Sequence, residues 1–436
     1  MNVIHLGGAE CVTGSCHLLQ ASQLNILVDC GAVQGNDKAL PMERWRVKPD
    51  DIDYLFLTHA HIDHIGRVPE LIDRGFAGEI ICTHATRELI FPMIDDAMGF
   101  SHRNRQEIEK IKNMIDDFAW GFEYGRKFDL KNGISFFLGN AGHILGSCFI
   151  RFESHAPEYS IVFSGDLGPP HTPILPDPDI PEPCDLLIME STYGDKVHDD
   201  RTARVERLEK VLLKALSDNG KVYIPAFALG RSQELIYEMD RIFSKVDFNL
   251  KKSFPKKIPV FIDSPLGLRI TEIYSRLSTF WDDEANDLLK RGDHPIDFKN
   301  LYAVKNYKDH VKIVNLPGPA IIVAGSGMCT GGRIIDHLVN GLEDKRNDIL
   351  FVGYQAYGTS GRDIVRFSGK KGGYVRLDRE KIMINADVHQ LSGYSAHADQ
   401  NDLVKWVDSM GKRPGEIRLV HGDPEARKAL SKRLGI

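Results

Sequence analysis

The sequence predicts an α/β protein with a parallel sheet in its middle third. Three observations lead there. Short β-rich runs separated by turn signals fill the stretch from Met1 to about Asp195. Four strand, Gly/Ser turn, helix units follow between about Val197 and Asp378. One more β run, IRLVHGD (417–423), stands with two short helical patterns between Arg379 and Ile436. Buried β runs that alternate with helices build a parallel sheet through right-handed crossovers.

Taken in order, the first β runs are NILVDCG (25–31), DYLFLTHA (53–60), EIICTHA (79–85), SIVFSGD (160–166) and DLLIMES (185–191). A helix interrupts them over Ser101 to Phe118, where Ile108, Ile111, Ile115 and Phe118 recur at helical spacing. The seven prolines between Pro169 and Pro183 make that segment a loop. The four crossover units are KVYIPAFALGRSQELIYEMDRIF, PVFIDSPLGLRITEIYSRL, AIIVAGSGMCTGGRIIDHLVNGL and DILFVGYQAYGTSGRDIVRF. The last stretch is too small to stand alone and is expected to complete the first domain's sheet. Residues 1–196 and 379–436 are therefore read as one domain, and 197–378 as a second domain inserted into it.

Composition narrows the function. The chain of 436 residues is 42% hydrophobic and 27% charged, enough to bury a large core. Fifty-five Lys and Arg against 61 Asp and Glu give a net charge of −6. That excludes a protein basic all over, but not a local basic groove. No apolar run approaches the ~20 residues that cross a bilayer. The start, MNVIHLGGAECVTGSC, lacks the charged and apolar regions of a signal peptide. Seven scattered cysteines without CxxC spacing read as reduced thiols, and a cytoplasmic location is expected.

HAHIDH (59–64) dominates the chemistry. It follows the apolar run YLFL, so the chain leaves a strand and turns sharply. His59 and His61 share a face in extended geometry, and Asp63 and His64 fall at the start of a helix. Four donors in six residues, none a thiolate, suit zinc or another borderline metal. One ion wants about four ligands, so this seed can serve two ions if more donors arrive. His143 in AGHILGS, Asp166 in FSGDLG and His421 in VHGD, each at the end of a β run, supply them. The total of five histidines and two aspartates complements two ions ~3.5–4 Å apart with a hydroxide between them.

These residues resemble the metallo-β-lactamase superfamily, whose fold is an αβ/βα sandwich. The resemblance narrows to the β-CASP nucleases, which carry an inserted parallel-sheet α/β domain. Glu190 in MESTYG matches their motif A, His397 in SGYSAHAD motif B and His421 motif C. Asp29 in LVDCG matches the superfamily's first motif, a support behind the metal ligands. PAFALGRSQEL, AGSGMCTGGR and GYQAYGTSGR look like signatures of the inserted domain. The chain is similar to short prokaryotic relatives of the cleavage and polyadenylation nuclease subunit, and to RNase J without its extra C-terminal domain.

The resemblance implies two zinc ions, one on His59, His61 and His143, the other on Asp63, His64 and His421, with Asp166 shared. It implies a ribonuclease in which a hydroxide bridging the two ions attacks single-stranded RNA in a cleft between the domains. His397 would protonate the leaving 3′ oxygen, Glu190 would orient His397, and Asp166 counts with them as catalytic. Histidine rather than valine at motif C points to RNA. Endonuclease and 5′ exonuclease action both stay open. So does a homodimer.

In an open parallel sheet, ligands collect at the C-terminal strand ends. Those ends carry Arg231 and Ser232, Ser264, Ser326, Arg333, Ser360 and Arg362, all suited to phosphate. His389 is a further phosphate candidate. Seven Lys and Arg against three acids between Arg362 and Lys381, and the group Lys251, Lys252, Lys256 and Lys257, suggest an RNA track. Two other readings compete. One is a non-catalytic RNA-binding or scaffold subunit, opposed by the intact donor set. The other is a small-molecule hydrolase of the wider superfamily, opposed by the insertion and by His397.

Overall fold

The computed structural model describes residues 1–99, 103–245 and 258–436. It forms two units, Met1–Val197 with Ala396–Ile436, and His198–Ser395.

The first unit holds two six-stranded sheets. One runs Asn2–Gly7, Cys16–Ala21, Leu24–Val28, Tyr54–Phe56, Glu79–Thr83, Ala119–Phe122 in spatial order. Its first three strands pair antiparallel, and the remaining pairings are parallel. The other runs Glu416–Val420, Leu186–Glu190, Glu158–Phe163, Cys148–His155, Ile134–Asn140, Lys127–Asp129. Alternation decides what each strand buries. Ile161, Phe163, Leu186 and Ile188 point into the core between the sheets, with Ile26, Val28, Phe56, Phe136 and Phe152. Val162, Leu187 and Met189 point the other way, onto Leu403, Trp406 and Leu430 of the helices Gln400–Asp408 and Pro424–Leu434. Strands buried on both faces read as unbroken apolar runs, as SIVF and LLIM do. The helix His84–Met98 packs on strands of the first sheet, which completes the expected αβ/βα order.

The helix expected over Ser101 to Phe118 is Arg105–Phe118, and Ser101 lies outside the described residues. Asn104 starts it by accepting from the Glu107 backbone N–H, while the Glu107 side chain accepts from Asn104 N–H. Ile111 and Ile115 are its buried face.

The second unit is a six-stranded sheet in the order Leu301–Ala303, Val260–Asp263, Ala320–Ala324, Lys221–Pro225, Asp348–Phe351, Asp387–Gln390. Every pairing is parallel. The four expected crossover units are all present, with helices Arg231–Lys245, Pro265–Arg276, Ile334–Gly341 and Ser360–Phe367. The chain does not return to the first unit at Arg379, as expected, but at Ala396. Non-local pairing is the reason. Tyr374–Leu377 pairs antiparallel with Glu380–Met383, and Asp387–Gln390 adds to the insertion's sheet beside Asp348–Phe351. Glu416–Val420 then completes a sheet of the first unit beside Leu186–Glu190. No described helix is long and apolar enough to cross a membrane. Lys251, Lys252, Lys256 and Lys257 lie outside the described residues.

Candidate metal centre

Local backbone structure places the first donors. The strand Tyr54–Phe56 stops before Thr58, so His59 and His61 sit beyond it. His61 is the extended N-cap residue of a one-turn helix, Ile62–Ile65, which carries Asp63 and His64. The segment after Leu24–Val28, with Ser15 just before Cys16–Ala21, clamps that turn. Cys30 N–H donates to the His64 carbonyl at 2.7 Å, Ala32 N–H to Ile62 at 2.9 Å, and Ser15 N–H to Asp63 at 2.8 Å. Glycine is required between them, because a Cβ at Gly31 would stand 1.6 Å from the Asp63 carbonyl oxygen. Asp29 (φ 60°) and His421 (φ 51°) both hold the left-handed backbone region, at a cost of about 1 kcal/mol or more each. Both are buried, and both aim a side chain at the centre.

Hydrogen bonds fix which ring nitrogens face inward. Carboxylates and carbonyls only accept, so His64 Nδ1–H donates to Asp29 Oδ2 (2.7 Å) and His143 Nδ1–H to the Ala396 carbonyl (3.0 Å). Thr58 donates its hydroxyl to the Asp29 carboxylate, at 2.9 Å to Oδ2, and so accepts from His59 Nδ1 at 3.1 Å. Thr192 likewise donates to the His421 carbonyl (3.1 Å) and accepts from His421 Nδ1 (3.1 Å). The Nε2 atoms of His59, His143, His64 and His421 are thereby left to turn inward, each oriented from behind by a hydrogen-bond partner.

The inward atoms fall into two groups. His59 Nε2 and His143 Nε2 stand 3.1 and 3.0 Å from His61 Nδ1, and each is 3.6 Å from Asp166 Oδ2. His64 Nε2 stands 3.2 Å from His421 Nε2 and 3.3 Å from Asp166 Oδ1. His421 Nε2 is 3.5 Å from Asp63 Oδ2 and 3.7 Å from Asp166 Oδ1. A tetrahedral zinc with bonds near 2.05 Å sets neighbouring ligand nitrogens ~3.3 Å apart, so both groups have the required spacing. Asp166 spans them with one oxygen in each, and its buried Oδ1 has no hydrogen-bond partner. Nitrogens that face each other this closely need a cation or an extra proton between them. Burial drives His59 and His143 well below the usual imidazole range. Burial alone would lower His64 and His421 too, but Asp166, with Asp29 for the first and Asp63 for the second, holds both above that range. The donor set fits divalent cations.

Beside this centre, His397 Nδ1 lies 3.3 and 3.2 Å from the two oxygens of Glu190 and 3.9 Å from Asp166 Oδ2. Glu190 is buried, and its carboxylate also accepts from Leu167 N–H at 2.5 Å. Burial opposes a charged His397, but Glu190 and Asp166 outweigh it and hold the ring up at about 9. Sequence reasoning missed Thr58, Thr192 and the Ala396 carbonyl. Their signal was position: Thr58 directly precedes HAHIDH, and Thr192 lies inside MESTYG.

The phosphate candidates of the second unit are mostly committed elsewhere. Arg231 is buried and paired with Glu234. Arg333 donates to Asp263 Oδ1 and to the Val304 carbonyl at 2.8 and 2.9 Å. His389 is tied to Asp348 at 2.6 Å. Ser232 donates to the Phe227 carbonyl, Ser264 caps the helix Pro265–Arg276, and Ser326 accepts from Thr330 N–H. Ser360 opens a helix that Thr359 caps. Arg362 has no carboxylate partner among the described residues.

Residues 9–226 match the metallo-beta-lactamase superfamily, 232–364 the Beta-Casp domain and 381–435 the Zn-dependent metallo-hydrolase RNA specificity domain. The chain is 35% identical over 438 residues to Ribonuclease TTHA0252 of Thermus thermophilus, covering 100% of this chain and 96% of that one. It is 31% identical over 440 residues to transcription termination factor FttA of Methanocaldococcus jannaschii, covering 97% of this chain and 67% of the relative. A solved protein of unknown function from Enterococcus faecalis shares the fold, with a TM-score of 0.56 at 12% identity over 98% and 95% of the two chains. The chain belongs to the β-CASP family of the metallo-β-lactamase superfamily.

Proposed function

We propose that this protein is a ribonuclease that hydrolyses phosphodiester bonds of single-stranded RNA with two bound zinc ions. Asp166 carries the reading: a buried carboxylate whose two oxygens face two separate donor groups, with His397 3.9 Å from one of them. The likeness to a ribonuclease and to an RNA specificity domain supports RNA as the substrate.

When bound, the ions supply a nucleophile at neutral pH and charge stabilisation on the phosphoryl oxygens. His59, His61 and His143 would hold one ion and Asp63, His64 and His421 the other, with Asp166 shared. Asp29, Thr58, Thr192 and the Ala396 carbonyl keep those imidazoles in the tautomer that presents a lone pair inward. His397 keeps its Nδ1 proton on Glu190 and delivers the Nε2 proton to the leaving 3′ oxygen, and Glu190 sets the ring's direction.

The test combines metal analysis with RNAs labelled separately at each end and carrying a 5′ triphosphate, monophosphate or hydroxyl. Two zinc ions per chain and cleavage that stops with chelator and returns with zinc are expected. The position of the first labelled product separates endonucleolytic from 5′-exonucleolytic action. Zinc-loaded protein that leaves every RNA intact would overturn the reading.

A further inference from the structure

The second unit carries cations that neither the metal centre nor the fold uses. Between Arg362 and Lys381 stand seven Lys and Arg against three acids, in a chain of net charge −6. Among the described residues, none of the seven lies within ion-pair distance of a carboxylate.

Two of their arrangements are unfavourable as they stand. Arg362 and Arg366 are four residues apart on the helix Ser360–Phe367, where like charges repel. Arg376 is directly opposite Lys381 across the hairpin Tyr374–Leu377/Glu380–Met383, and both are exposed. Like charges facing across a ladder destabilise it. The hairpin's inner face, Val375, Leu377 and Ile382, is buried in the unit's core. Alternation therefore sends Tyr374, Arg376 and Lys381 outward.

Aromatic rings interleave these cations. Lys381 Nζ lies 4.4 Å from the ring centroid of Tyr374, which is 41% exposed. The Arg362 guanidinium lies 4.9 Å over Tyr357, which is 64% exposed. Arg366 and Lys370 each lie 5.3 Å from Phe367. The helix packs against the first strand of the hairpin, so the whole group is contiguous. Uncompensated cations call for a polyanion, and exposed rings beside them offer a stacking surface for unpaired bases. A duplex, with its bases stacked inside, would have no use for the rings.

We propose that the helix Ser360–Phe367 and the hairpin Tyr374–Met383 form an RNA-binding face in the second unit. Single-stranded RNA flanking the cleaved bond binds there, with phosphates on Arg376, Lys381, Arg362 and Arg366 and a base on Tyr374. This rests on the ribonuclease reading and extends it to substrate beyond the reacting phosphate.

The experiment is steady-state cleavage by the zinc-loaded protein of single-stranded RNAs of about 6 and about 30 nucleotides, the shorter no longer than one typical single-strand site. Wild type is compared with Tyr374→Ala and with the double variant Arg376→Gln/Lys381→Gln over a salt series. For the long RNA, KM should rise ~10-fold in Tyr374→Ala. In the double variant its log–log salt dependence should become shallower by about 1.4, two phosphates at roughly 0.7 each. The KM effect should be absent on the short RNA, and kcat at saturation should hold, which a folding defect would not allow. Long-RNA KM equal to wild type at every salt concentration overturns the face, while wild-type cleavage in the same assay leaves the ribonuclease reading standing. If wild type cleaves neither RNA, that reading fails and fluorescence anisotropy with the long RNA still decides the face. Phosphatidylserine vesicles that bind wild type but not the double variant, with RNA binding unaltered, assign the face to anionic lipid and overturn the proposal.

Discussion

Asp166 in the first unit and Asp263 in the second are both buried carboxylates at the end of a β-strand, and histidines surround each. Around Asp166 the inward nitrogens stand 3.0 to 3.2 Å from one another, with protons drawn outward by Asp29, Thr58, Thr192 and a carbonyl. Around Asp263 the spacings are those of hydrogen bonds. His310 Nδ1 and His337 Nε2 each donate to Oδ2 at 2.6 Å, and Arg333 donates to Oδ1 at 2.8 Å. His310 Nε2 donates in turn to Asp336 at 2.8 Å. Protons and an arginine already compensate this second carboxylate. Both places combine buried carboxylates with histidines. The direction of the protons is what separates the candidate metal centre from the second cluster.

The largest test of that contrast is Asp166→Asn, which should deplete bound zinc and lower cleavage ~10⁴-fold or more, the several kcal/mol that metal ions contribute. Near-wild-type zinc content would remove Asp166 from its shared role. The matching change, Asp263→Ala, should leave zinc content intact and lower stability by about 3–5 kcal/mol, because it strands a buried cationic network. Denaturant titration with metal analysis reads both, and a zinc loss there would make the two clusters equivalent. His397→Ala lies between the cases. It should cut kcat ~10²-fold or more with metal content and RNA affinity nearly unchanged, as loss of a general acid does. Zinc loss in that variant would make His397 a ligand.

Asp263 also gives the contrast a pH signature. Burial pushes its carboxyl up, but hydrogen bonds from His337, His310 and Arg333 hold it down at about 2. Its folded-state value is depressed, so its stabilisation is present above the ordinary carboxyl value near 4 and is lost as pH falls toward 2. About 2 kcal/mol should disappear across that window, and Asp263→Asn should lack this component in denaturation midpoints measured between those limits. A parallel pH dependence in the two proteins would show that the network does not hold the carboxylate down. The smallest effect is expected from Thr192→Val, which removes the partner of His421 Nδ1. Zinc affinity should fall ~10-fold, measured by competition with a chelating dye. Unchanged affinity would mean that the backbone alone orients His421.

Much of the candidate metal centre is legible in HAHIDH because four potential donors lie within six residues just beyond a strand end. His143, Asp166 and His421 are legible more indirectly, as polar residues that end apolar runs. The phosphate candidates are less so. Ser264 and Ser326 have the right chemistry and position, but helix and turn caps use their side chains. Arg231 is paired only one helical turn away, with Glu234. That pairing could have been read from GRSQEL.

The sequence by itself determined the α/β class, the four crossover units of the insertion and the candidate donors that the fold gathers into two groups. Each depends on local periodicity or on a motif a few residues long. Tertiary structure alone decided where the chain leaves the insertion, because Asp387–Gln390 finds its partner strand some forty residues earlier, at Asp348–Phe351. It also decided which buried histidine cluster presents lone pairs. The partners that orient those rings come from distant segments: Asp29 for His64, Ala396 for His143, Thr192 for His421. A tautomer is set by whatever stands behind the ring, and only the fold brings those groups there.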